Sequence, residues 1–246
     1  MQSDNELRNG AGRGLDRYTA LALIVSLVLY PLLYSLDFFS TVFPSPVKGL
    51  WEFGYFGEKH RQSWWFLWLS NFIYHWVPFL FVWFALFKNR ENWGSIGLNF
   101  KWFVAKRYWV VATFCALSLA AIVVPEIYYA ELPKRSQTVS FGPISTAERL
   151  FMVVMAFTTG FTEEVLFRGF AFTRLQRLVR NSYIILTITI ISFWLIHGQP
   201  ESVGRSLNYI ISGAAFGGMF ILLKYRRLEF LVLIHFLINA SLVIAP

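Results

Sequence analysis

The sequence predicts an all-α, polytopic membrane helical bundle of about seven transmembrane helices, the last four forming a core of their own. Three observations predict it. Of 246 residues, 56% are hydrophobic and only 15% are charged, where a soluble domain holds about a quarter charged. Mean hydropathy is +0.50. Apolar runs recur at lengths close to the roughly twenty residues that cross a bilayer at 1.5 Å per residue. The outward surface must therefore be lipid.

In chain order the expected spans are residues 18–41, 64–87, 107–130, 150–177, 182–198, 206–223 and 228–245. The polar stretch Met1 to Arg17 precedes a run too long for a signal-peptide core, without a small-residue cleavage site, so residues 18–41 read as an uncleaved first span. Nine of the ten tryptophans belong to the first half, many near span ends, where interfacial rings are favoured. Residues 1–149 hold the polar start and three spans; residues 150–246 hold the core. No internal repeat or low-complexity tract divides them. Gly213 and Gly217, in Gly-Ala-Ala-Phe-Gly-Gly, read as a close-packing surface between helices.

The net charge of +8 suits anionic lipid beside cytoplasmic loops rather than nucleic acid, and no nucleic-acid partner is expected. Cys115 is the only cysteine, which excludes an intrachain disulfide and a cysteine metal cluster. Fifteen of the 22 Lys and Arg residues fall on one side of the spans and seven on the other. The positive-inside bias then puts the N-terminus in the cytoplasm and the C-terminus outside. In a prokaryote this multi-pass protein would occupy the plasma (cytoplasmic) membrane.

Against that apolar background a few polar residues stand out. Residues 162–169 read Thr-Glu-Glu-Val-Leu-Phe-Arg-Gly; His197 ends the run from Phe193; His235 and Asn239 lie inside the last span. Ionised groups at bilayer depth are costly and usually mark function. Taken along ideal helices, Glu163 and His197 lie roughly 20 Å from the inner ends of their spans and His235 roughly 10–15 Å from its own, so they can converge. Glu164 and Arg168 are four apart and share a helix face, leaving Glu163 to point elsewhere. His235 and Asn239 project together on the same spacing. Taken singly, each has a structural explanation: a buried ion pair, a histidine bonded to a carbonyl, an asparagine joining two helices. The combination calls for more than packing.

A carboxylate and a neutral imidazole on a dry site can hold and deprotonate a water, and an imidazole with an amide can donate to an oxyanion. That suits amide hydrolysis without a serine or cysteine nucleophile. Alternatively Glu163, His197 and His235 could ligate Zn²⁺ or another divalent metal with one position open to water. Spacing does not separate the two.

Glu163-Glu164-Val165-Leu166-Phe167-Arg168-Gly169, Phe193-x-x-x-His197 and His235-x-x-x-Asn239 together resemble the three motifs of the CAAX protease and bacteriocin-processing (CPBP, or Abi) intramembrane protease family, including its type II CAAX prenyl endopeptidases. The resemblance covers residues 150–245. It implies that Glu163 and His197 activate water, or bind metal with His235, that His235 and Asn239 stabilise the oxyanion, and that Glu164 and Arg168 support the site. The implied partners are the lipid bilayer and a membrane-associated peptide or protein, prenylated in the eukaryotic branch. One departure is the link Lys224-Tyr225-Arg226-Arg227-Leu228, which lacks the glycine turn of bacterial members. Two other classes compete: a non-catalytic scaffold or bacteriocin-immunity protein retaining the fold, and a proton-coupled transporter, against which stands the lack of paired broken helices.

The charge asymmetry generates a topological prediction. A reporter fused after Pro246 is expected on the outer side; a cytoplasmic reporter would require an eighth span, with residues 42–63 the first place to seek it.

Overall fold

The computed structural model describes residues 15–33, 35, 64–99, 142–143, 145–197 and 203–244. These residues are helical throughout their regular structure, without strands. Six helices follow one another: α1 (Arg17–Leu33), α2 (Trp64–Lys88), α3 (Thr146–Leu175), α4 (Ser182–Leu195), α5 (Val203–Leu222) and α6 (Leu228–Ile244). By length and composition α2 and α3 can each cross a membrane, while α1, α4 and most of α6 are shorter apolar helices. Six of the seven expected spans thus contain a helix. The span expected over residues 107–130 lies outside the described residues, as does nearly all of residues 34–41.

Local chemistry sets the helix starts. Asp16 caps α1 by accepting from the backbone N–H groups of Tyr18 and Thr19, both at 3.0 Å. Ser145 and Glu148 form a reciprocal capping box that starts α3 four residues before the expected boundary. Asn181 caps α4 through Tyr183 N–H at 2.9 Å. Each cap satisfies donors that the first helical turn leaves unpaired.

α3 is the central element. It packs most extensively on α6 and also meets α1, α2, α4 and α5. Over Glu164–Phe172 it widens into a π-helix, all nine residues of which are buried. Stretches with i→i+5 bonding are rare and often accompany functional sites. A second π-helix spans Val25–Leu29 in α1, where the Leu27 carbonyl accepts a hydrogen bond from Ser192 of α4 at 3.0 Å. Leu166, Phe167, Phe170, Phe172, Phe220, Leu228 and Ile234 build one core with Ala22, Leu67 and Val82, so α1 and α2 share the interior of the motif-bearing helices.

At one end of the bundle a polar network joins the helices. Asn89 donates to Asp16 at 2.8 Å and to Thr19 at 2.9 Å. Burial alone would hinder ionisation of Asp16, but hydrogen bonds from Thr19, Asn89 and Tyr18 outweigh it and hold the carboxyl below its usual range. Glu91 pairs with Arg174, and with Arg177 at 2.9 Å. Gly97 has φ +84°, and a Cβ there would lie 2.6 Å from the Tyr225 carbonyl oxygen; only glycine fits this approach. The glycine-less link before α6 takes left-handed backbone at Lys224, Tyr225 and Arg227. Tyr225 offsets that cost by ring contacts with Phe172 and Phe220 and a 2.8 Å hydrogen bond to Ser182.

Glycines also set how closely helices approach. A Cβ on Gly217 would lie 2.3 Å from Leu186 Cδ1, which bears out its reading as a packing surface, here between α5 and α4. A Cβ on Gly160 would lie 2.9 Å from the Phe236 backbone nitrogen and 3.3 Å from the His235 carbonyl carbon. At this point α3 touches the α6 backbone itself. Gly160→Leu is therefore expected to cost at least about 1–3 kcal/mol through overpacking and to displace His235, whereas Gly218→Ala, with nothing within 4 Å, is its control. Thermal unfolding in detergent checks this; equal behaviour of the two variants would refute it.

Candidate active site

Four of the sequence-derived residues meet in the interior between α3 and α6. Glu164 is wholly buried, and its Oε1 accepts from Arg168 Nη1 at 3.0 Å and faces His235 Nδ1 at 2.9 Å. The expected Glu164–Arg168 pairing is present and gains a third member. Arg168 also reaches the Gly213 carbonyl at 3.4 Å. Its guanidinium lies over Phe193 at 4.3 Å and over Phe216 at 5.6 Å. Gly213 thus contributes an acceptor as well as close packing.

A buried carboxylate beside Nδ1 calls for the tautomer with hydrogen on that nitrogen. The lone pair of His235 is then on Nε2, which lies 3.8 Å from Glu163 Oε2. Glu163 is itself buried, and Oε2 finds no hydrogen-bond partner among the described residues. The adjacent carboxylates thus divide the work: Glu164 anchors an imidazole, and Glu163 presents an uncommitted oxygen to its other nitrogen.

His197 and Asn239 are placed differently. α4 ends at Leu195, short of the expected residue 198, and Ile196 and His197 form the following turn. There His197 Nδ1 bonds the Phe193 carbonyl at 2.8 Å, an acceptor that a helix C-terminus leaves free. The ring stacks on Tyr209 of α5 with centroids 3.9 Å apart. The structure pairs Glu163 with His235, not with His197. Asn239, one turn beyond His235, donates to Thr159 Oγ1 at 2.8 Å and keeps a second amide hydrogen.

His75 of α2 escaped the sequence reading. Its Nδ1 lies 2.9 Å from the Tyr30 hydroxyl, 3.2 Å from Thr162 Oγ1 and 3.9 Å from Glu163 Oε1. Glu163 is therefore flanked by two imidazoles, one towards each oxygen. The available signal was Asn71-x-x-x-His75 within the apolar α2, the same spacing as His235-x-x-x-Asn239 in reverse order.

The arrangement does not fit a metal held by Glu163, His197 and His235. Among the described residues no group of three His, Cys, Asp or Glu side chains is disposed to hold an ion.

Residues 145–241 match the family model of Rce1-like proteins, described as type II CAAX prenyl endopeptidase Rce1-like. The match covers under half of the chain and makes this region similar to that family. That family is one of membrane-embedded proteases, in agreement with the resemblance read from the motifs. The Rce1-like region contains Glu163, Glu164, Arg168, His197, His235 and Asn239; it excludes α1, α2 and His75. No curated protein and no solved structure matches the chain.

The buried ion pair yields a stability prediction. Arg168→Ala leaves the buried Glu164 with the His235 hydrogen bond but without its cationic partner, a loss of about 3–5 kcal/mol. Adding Glu164→Gln removes the charge and should recover part of that loss in thermal unfolding. No recovery in the double variant would show that Arg168 acts through packing on Phe193 and Phe216 instead.

Proposed function

We propose that this chain is an intramembrane endopeptidase that cuts a membrane-associated substrate, a CAAX-type prenylated tail or a bacterial membrane peptide, with a water activated by Glu163. The observation that carries this reading is the unpartnered, buried Glu163 Oε2 facing His235 Nε2 at 3.8 Å. Polar atoms separated by more than about 3.5 Å invite a bridging water. A water seated there would direct one hydrogen to each acceptor and its lone pair outward.

Attack would form the bond between water oxygen and carbonyl carbon while the proton passes to Glu163. The carbonyl oxygen becomes the oxyanion, for which Asn239 retains an amide hydrogen. Collapse breaks the C–N bond, and Glu163 returns the proton to the leaving amine. Arg168 and Glu164 hold His235 in the required tautomer. His197 keeps Nε2 free beside Tyr209 and is assigned to substrate alignment, because Glu163 has another imidazole partner. This differs from the division implied by the family resemblance, in which His197 shares the water. The lipid-exposed faces and the charge asymmetry support a multi-pass protein with a cytoplasmic N-terminus.

Cleavage of a quenched lipidated peptide by full-length protein in nanodiscs tests the proposal. Glu163→Gln should abolish turnover in folded protein, since the amide can bond water but cannot take its proton. Asn239→Ala should lower the rate by about 10²–10³, the cost of one oxyanion donor. Activity should survive a strong chelator. Near-normal cleavage by Glu163→Gln would remove Glu163 as the base, and chelator-dependent loss restored by Zn²⁺ would require a metal mechanism.

A further inference from the structure

α1 and α2 lie outside the Rce1-like region, yet α2 brings a second imidazole to the carboxylate. His75 and Tyr30 are both buried, and their rings meet edge to face, 6.0 Å between centroids. Thr162 immediately precedes Glu163 and spends its hydroxyl hydrogen on the Thr158 carbonyl at 2.7 Å. Towards His75 it can only accept, so the contact at 3.2 Å calls for hydrogen on His75 Nδ1. That N–H faces the Oε1 side of Glu163, while His235 Nε2 faces Oε2. Pro78 adds a local peculiarity: its ring nitrogen cannot donate to the Tyr74 carbonyl, one residue from His75. Burying Tyr30, His75 and Thr162 together in an apolar bundle is costly unless their polar atoms meet.

We infer that His75 is a positioning residue for the reaction at Glu163: anchored by Tyr30 and Thr162, it holds Oε1 to one side so that Oε2 faces His235. The inference rests on the hydrolytic reading above and adds that helices outside the Rce1-like region complete the site. A purely structural staple of α1, α2 and α3 would use the same contacts but would not orient the carboxylate.

The peptide assay in nanodiscs separates these. His75→Ala should lower kcat by about 10²-fold, the scale of a misplaced reacting group, while KM moves less than about twofold. His75→Asn places an amide nitrogen near Nδ1 and should restore most of the rate; Tyr30→Phe should fall between. Unchanged kcat in His75→Ala, or equal loss in His75→Ala and His75→Asn, would overturn the inference. A second measurement needs no substrate. The ¹⁵N and ¹H imidazole resonances of His75 should shift in Glu163→Gln but not in Glu148→Gln, and an unmoved His75 signal would also overturn it. If the resonances shift but wild-type protein cleaves nothing, the contact stands and the hydrolytic reading falls.

Discussion

Arg168 neutralises a carboxylate that has no access to water, and the rest of the site depends on that pairing. Glu164 can be ionised in an apolar interior because the guanidinium lies 3.0 Å away and is itself satisfied by the Gly213 carbonyl and two aromatic faces. An ionised Glu164 fixes hydrogen on His235 Nδ1. Only then does Nε2 present a lone pair towards Glu163. Removing the charge at the base of this chain would change the donor and acceptor pattern at His235, two partners away.

Backbone contact gives that chain its precision. Gly160 lets α3 approach the α6 backbone near His235 and Phe236, and the wall opposite is set by α4 and α5 through Gly213 and Gly217. Short side chains thus do for distance what Arg168 does for charge. Buried polar groups tolerate little misplacement, because an unmet hydrogen bond in a low-dielectric interior is expensive.

Much of this was legible in the sequence. The Glu163–Arg168 motif, His235 and Asn239 stood out because ionisable and amide groups are rare in apolar runs, and the i,i+4 rule paired Glu164 with Arg168 correctly. His197 reads as part of a span running to residue 198, since Ile196-His197 continues an apolar run and nothing local announces the end at Leu195; it lies in the turn that follows that end. His75 was not found. Its partners Thr162 and Tyr30 are 87 and 45 positions away, so no local pattern could reveal them, and one histidine in an aromatic-rich helix reads as packing. The left-handed turn at Lys224–Arg227 was visible only as a missing glycine.

The π-helix over Glu164–Phe172 has a consequence for how this segment can change. Its wider turns carry more residues over the same rise than an α-helix would. Deleting one residue there could relax the segment to ordinary α-helix, at about 100° per residue, with the flanking turns kept close to their register. The same deletion within Thr146–Glu163, which is already α-helical, would instead rotate one side of α3 against the other by about 100°. Apolar positions such as Val165 or Leu166 can exchange one hydrocarbon for another at modest cost. Length is therefore held more strictly in the α-helical part of α3 than in its π-helical part.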